Sequence, residues 1–180
     1  MNPSEASSLL VDAVPVHARR GTWADLGSGD GTFTRALAEL VDADCHIYAV
    51  DRDAQAIASL NDLVRDHPNV RPVAADFTGD FTLPDRGDAN LSGLLFANSL
   101  HYVKNPDAVL RRLVELLEPS GRVVVIEYDR RGPNQWVPFP IPMSRVDELF
   151  ANAGLEAPAI TATRPSRYGG DLYVASAKRG

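Results

Sequence analysis

The segment running from Asp25 through Gly27, Ser28 and Gly29 to Gly31 constrains this chain more than any other, because it sets three glycines at alternate positions between an apolar run and an amphipathic stretch at 32–40. Glycine enters φ > 0 without a Cβ penalty, so a segment of this kind turns sharply from a strand into a helix. The turn is expected to bring bare backbone N–H groups against a ligand, and the helix start that follows favours negative charge. A strand, a glycine turn and a helix in that order point to a nucleotide-type cofactor.

The rest of the chain continues the alternation. Apolar runs at 23–26, 47–50, 70–75, 91–97 and 123–127 read as strands, and helical patterns follow most of them. Continuous apolar strands of this kind belong to a parallel sheet covered on both faces. Residues 53–64 predict a helix capped by Asp53, with Ala56, Ile57, Leu60 and either Leu63 or Val64 on its apolar face. Asn105 before Pro106 marks another helix start; Leu110, Leu113, Val114 and Leu117 repeat at helical spacing until Pro119, Ser120 and Gly121 stop the pattern. Residues 157–163 and 172–177, separated by a loop rich in Pro, Ser and Gly, predict a terminal antiparallel hairpin.

At 180 residues the chain fits one α/β domain, divided into an N-terminal helical segment at 1–20, a cofactor core at 21–130 and an acceptor side at 131–180. A net charge of −6 without a basic stripe disfavours nucleic acid as a partner. Cys45 is the sole cysteine, which excludes an intrachain disulfide and reads as a small core residue in a reducing compartment. No run approaches the ~20 apolar residues of a membrane span, and the first residues lack a basic leader, so the expectation is a cytoplasmic protein with no membrane partner. The His and acidic residues show no short ligand spacing, and no metal is expected.

Four signposts together resemble the class I S-adenosylmethionine-dependent methyltransferases. Asp25, Gly27, Gly29 and Gly31 match the family's D-x-G-x-G-x-G turn; Asp51 ends the second strand; Asp76 and Phe77 follow the third; Asn98 ends the fourth. The likeness is strong over about residues 20–130 and looser beyond. It implies a Rossmann-like, doubly wound, seven-stranded sheet of order 3-2-1-4-5-7-6 with an antiparallel last strand, in a small single-domain member. The implied cofactor is S-adenosylmethionine, with Ser28 and Arg52 included in its binding set. The turn amides would line its methionyl portion, and Asp25 would orient the turn or attract the ammonium group. Asp51 would accept both ribose hydroxyls, Asp76 would accept from the adenine amino group, and Phe77 would offer its backbone N–H and an apolar edge. A nicotinamide site fits less well, because the third glycine of G-x-G-x-x-G would fall on Thr32. A binding module that holds the cofactor without catalysis is the other alternative.

The acceptor side is read from position on the sheet edge. His101 and Tyr128 are the catalytic candidates: His101 follows the fourth strand and could act as a base, and Tyr128 leaves the fifth with an apolar ring and a polar tip. Glu127, Tyr128 and Asp129 leave the fifth strand on the same edge and could bind an acceptor or serve as a second base; their bland reading is surface solvation, and that of His101 is a packing or capping residue. The proline-rich stretch 136–143, with Trp136 and Phe139, predicts a stiff extended cover, and residues 8–17 a second one. Arg164 and Arg167 in the hairpin loop are candidates for an anionic acceptor. A small-molecule acceptor is preferred for an acidic chain with no added recognition domain; no motif encodes the acceptor atom or the oligomeric state.

Overall fold

Apolar runs become interior strands only where helices cover both of their faces. The computed structural model describes residues 1–87, 89–166 and 170–180. Its elements in chain order are α1 (Pro3–Leu10), β1 (Thr22–Leu26), α2 (Thr32–Leu40), β2 (His46–Asp51), α3 (Ala54–Leu63), β3 (Val70–Ala74), β4 (Leu91–Ala97), α4 (Pro106–Val114), β5 (Leu117–Tyr128), α5 (Met143–Asn152), β6 (Ala159–Pro165) and β7 (Asp171–Lys178). The strands form one sheet of order β3-β2-β1-β4-β5-β7-β6, the expected order. The pairs among β1 to β5 are parallel, whereas β7 runs antiparallel to both β5 and β6.

Side-chain alternation sorts the core into two layers. Leu26, Val50, Phe96 and Val125 face one side with residues of α4 and α5, while Trp23, Ile47, Leu95 and Val124 face the other with residues of α1, α2 and α3. The register sets Trp23 opposite Gly93. A Cβ on Gly93 would lie 2.4 Å from the indole, so glycine is what lets this buried ring lie across β4.

Local signals are borne out where their partners are local. The Asp53 carboxylate accepts from the N–H groups of Gln55 and Ala56 at the start of α3, and the Asn105 side chain accepts from Ala108 N–H at the start of α4. Leu117 is a correction. It lies in β5, not in a helix, because α4 ends at Val114 and the chain pairs Leu117 with Leu91 of β4. Pro119, Ser120 and Gly121 then form an irregularity inside the strand, with Ser120 at φ 66°.

The stretch 8–17 is a second correction. Leu9, Leu10, Ala13 and Val14 are buried in the layer that contains α2, so this segment is core and not a cover; its apolar side chains lose more water against α2 than they would over an open cavity. Met1 alone of the first twenty residues lines the cavity described below. Among the described residues, no helix is long and apolar enough to cross a membrane.

Candidate functional site

The strand order reverses direction between β1 and β4, and open α/β sheets bind ligands at that point, outside the carboxyl ends of the strands. A cavity of about 520 Å³ opens there. Gly27, Gly29 and Gly31 take φ values of 78°, 55° and 82°, as a turn of this tightness requires. Two different constraints act on them. A Cβ on Gly27 would come within 2.5 Å of Ser99 Cβ, whereas one on Gly29 would meet nothing and enter open space.

The turn amides are not bare. Gly27 and Ser28 donate to the Val50 carbonyl at 2.8 and 3.1 Å, Gly31 donates to Ser28 O at 3.0 Å, and Gly29 donates to Asp51 Oδ2 at 2.8 Å. Because β1 and β2 are neighbours, the Val50 carbonyl and the Asp51 carboxylate at the end of β2 satisfy the Gly27, Ser28 and Gly29 donors. The turn therefore meets the cavity through its glycine surface and through Asp51, which corrects the expectation of free N–H groups.

Asp51 also accepts from Asp53 N–H at 2.9 Å through Oδ1, and each of its oxygens keeps a second lone pair for a ligand. Asp76 is more fully engaged. Its Oδ1 accepts from the Thr78 hydroxyl at 2.6 Å and from Thr78 N–H at 2.9 Å, while Oδ2 faces the Arg52 guanidinium at 3.1 Å. The Thr78 hydroxyl, followed by its amide and by Arg52, holds this carboxyl below the usual carboxylate range. Arg52 and Asp76 thus form an exposed ion pair at the cavity's edge. Phe77 is buried and meets Phe96 edge to face at 5.8 Å.

Asp25 lies behind the turn, fully buried. Its Oδ2 accepts from the Thr34 hydroxyl at 2.6 Å, and its Oδ1 has no hydrogen-bond partner among the described residues. Burial, reinforced by nearby Asp51 and opposed by Thr34, pushes its pKa up to about 7. Asn98 carries a second unpartnered buried oxygen, Oδ1, and adopts a left-handed φ of 54° while its N–H donates to Ile126 O at 2.8 Å.

A second cavity of about 530 Å³ adjoins the first, and Asn98, Tyr102 and Tyr128 line both. His101 lines this second space and is 2% exposed. Its Nδ1 lies 2.6 Å from Glu127 Oε2, and its backbone N–H donates to Glu127 Oε1 at 3.1 Å. Glu127 is fully buried, so the solvated surface role is corrected: its carboxylate leaves the end of β5 inward and grips the residue beside β4. Asp129 accepts from Met143 N–H at 3.0 Å and so fixes the start of α5.

The proline-rich stretch is not helical before Met143, but it is bent rather than extended, which corrects the expectation: Asn134 Oδ1 accepts from Trp136 and Val137 N–H, and Asn134 N–H donates to Val137 O at 3.1 Å, so the chain turns at 134–137. It is held in its middle: Phe139 N–H donates to His101 O at 3.0 Å, and the Tyr173 hydroxyl donates to Ile141 O at 2.7 Å. Trp136 and Val137 thereby line the second cavity. Arg164 is paired with Glu5 of α1 at 2.5 Å, which corrects its expected role toward an acceptor; Arg167 and Tyr168 lie outside the described residues.

Of the residues singled out from the sequence, Gly27, Ser28, Gly29, Asp51, Arg52 and Asp76 line the first cavity together with Phe77, Asn98 and Tyr128. Asp25 and Gly31 support the turn without lining that cavity, and His101 lines its neighbour. Thr34 and Tyr102 were missed. A fully buried threonine on the apolar face of α2 was the available signal for the first; the second stands next to His101 in the sequence.

The arrangement fits an adenosine carrying an amino-acid tail. A carboxylate with open lone pairs ends β2, an aromatic ring lies beyond β3, and the buried Asn98 Oδ1 has no donor among the described residues. Similarity to known proteins agrees. A family model described as a methyltransferase domain matches residues 24–121, more than half of the chain. No curated protein matches it. Among solved structures, the 1,6-didemethyltoxoflavin-N1-methyltransferase of Burkholderia thailandensis, with bound 1,6-didemethyltoxoflavin and S-adenosylhomocysteine, is similar at a TM-score of 0.75 and 22% identity, over 98% of this chain and 77% of that one. A SAM dependent methyltransferase from Aquifex aeolicus is similar at 0.69 and 16%, over 100% of both chains. The mitomycin 7-O-methyltransferase MmcR is similar at 0.69 and 18%, over 98% of this chain and 53% of that one, so the chain spans about half the length of that protein. At such identities these likenesses concern the fold. Matched across its glycine turn and the three strand ends that follow, the chain belongs to the methyltransferase-domain family, whose cofactor is S-adenosylmethionine.

Proposed function

We propose that this protein transfers a methyl group to a small molecule held in the second cavity, and that His101 removes the acceptor's proton. The observation that carries the reading is the shared wall of Asn98, Tyr102 and Tyr128 between two cavities, one built for the cofactor and the other holding a histidine. S-adenosylmethionine supplies a sulfonium-bound methyl group whose leaving sulfur is neutral. Alignment and exclusion of water then provide much of the acceleration, and the chain's part is to hold two reactants in line.

Asp51 would hold the ribose, with Gly29 and Asp53 fixing its carboxylate from behind. Asp76 and Phe77 would take the adenine, with Arg52 giving up part of its hold on Asp76. Asn98 Oδ1 would accept from a donor of the amino-acid tail, while Asp25, held by Thr34, would orient the turn from behind. On the acceptor side, Glu127 Oε2 lies 2.6 Å from Nδ1 of His101; with Nδ1 as the donor of that contact, Nε2 keeps the lone pair that a base needs. Tyr128, which lines both cavities, would position the acceptor against the methyl group. The proline-rich segment from Trp136 onward would exclude water.

The test separates catalysis from binding. His101→Ala should lower turnover with the true acceptor by at least about a hundredfold, the usual scale of general-base catalysis, while leaving S-adenosylhomocysteine affinity within about twofold by titration calorimetry. Unchanged turnover would remove His101 from the chemistry. Tight cofactor binding without transfer to any component of a metabolite extract would favour the non-catalytic module.

A further inference from the structure

The walls of the second cavity narrow the acceptor. Trp136 is 67% exposed and Tyr102 54%, and both line this space beside Tyr128 and Val137. The other tryptophan, Trp23, is fully buried. Large aromatic rings left open along one concave wall are surface that a ligand ring can cover, and flat π-faces favour a flat partner. Arg130 lines the cavity, and no Asp or Glu does so among the described residues. His101 lines it too, its ring 4.4 Å from that of Tyr102 and 6.3 Å from that of Tyr128, so the base stands among aromatic side chains.

We propose that the acceptor is a planar, hydroxylated aromatic acid: its ring covers Trp136 and the two tyrosines, its anionic group lies toward Arg130, and its hydroxyl faces His101. This rests on reading the chain as a methyltransferase of small molecules. A cavity of about 530 Å³ admits one or two fused rings and not a folded polypeptide. On transfer, the acceptor oxygen gains the methyl carbon and gives its proton to Nε2 of His101, and the donor sulfur leaves neutral with the electron pair of the broken bond. A hydroxyl is the acceptor group that makes use of a neighbouring base, since its oxygen is a poor nucleophile until the proton leaves.

Titration calorimetry on the full chain saturated with S-adenosylhomocysteine tests this with three probes: 6-hydroxy-2-naphthoate, the uncharged 2-naphthol, and the aliphatic 4-hydroxycyclohexanecarboxylate. The hydroxynaphthoate should bind at least about tenfold more tightly than either of the others, the scale of one aromatic contact or one charge-assisted hydrogen bond. Trp136→Ala and Trp136→Leu should each weaken it by about tenfold, since an aliphatic side chain restores bulk without a ring face. Arg130→Gln should bring its affinity down to that of 2-naphthol. Trp136 is mostly exposed, so its loss leaves the core intact, and the S-adenosylhomocysteine titration verifies this in each variant. The proposal is overturned if the aliphatic acid binds as well as the aromatic one, if 2-naphthol does, or if Trp136→Ala has no effect. Failure of S-adenosylhomocysteine to bind a folded chain would instead strike the methyltransferase reading itself; its binding with no uptake of the aromatic acid defeats this proposal alone.

Discussion

Asp25 is a carboxyl group enclosed by protein on every side, and its chemistry follows from that. Burial raises its pKa from 3.8 to about 7, so the folded state prefers the neutral form. A folded pKa above the unfolded one contributes stability that is complete below the unfolded value and lost as pH rises through the folded value. The melting temperature of the unliganded protein should therefore fall from about pH 4 to about pH 7 and level off above that, relative to Asp25→Asn, which keeps an acceptor for Thr34 and carries no charge. Parallel melting curves for the two proteins across that range would refute the assignment. Asp51 behaves differently, because it is half-buried and holds two backbone N–H groups. Asp51→Ala should weaken S-adenosylhomocysteine by at least about tenfold in a calorimetric titration, since charge-assisted hydrogen bonds are each worth about 1.5–3 kcal/mol.

Elements fix what single residues cannot. The register of β1 on β4 puts Trp23 across Gly93, and a methyl group there would stand 2.4 Å from the indole. Gly93→Ala should destabilise the fold by about 1–3 kcal/mol, the usual cost of overpacking, read as a lower urea midpoint at unchanged m value. The same dependence on a partner explains why β5 began earlier than its sequence indicated. Leu117 continues the helical spacing of Leu110, Leu113 and Val114, yet β4 offers it a ladder position opposite Leu91, and pairing outweighs periodicity. That 136–142 is not helical was legible because proline removes that alternative locally, whereas its bends and what pins it, the carbonyl of His101 and the hydroxyl of Tyr173, depend on Asn134 and on residues far away in the chain.

For the whole molecule, ligand linkage gives the broadest test. S-adenosylhomocysteine at about a hundredfold its Kd should add about 2.7 kcal/mol and raise the melting temperature by roughly 5–10 °C, while NAD at the same concentration should leave it unchanged. The order of the sheet came from the resemblance to the methyltransferases; its first four strands were legible because each is an apolar run with Asp25, Asp51, Asp76 or Asn98 at or near its end, and runs are local. The pairing of His101 with Glu127 was not, since 26 residues separate them and only the adjacency of β4 and β5 brings them together. Nor was the inward packing of 8–17, which depends on α2, or the Arg52–Asp76 ion pair, which depends on β2 and β3 lying side by side. The partition at Asn98, Tyr102 and Tyr128 has a thermodynamic corollary. Any shift that one guest imposes on those three side chains is felt by the other, so each must alter its companion's affinity by the same factor, whichever enters first.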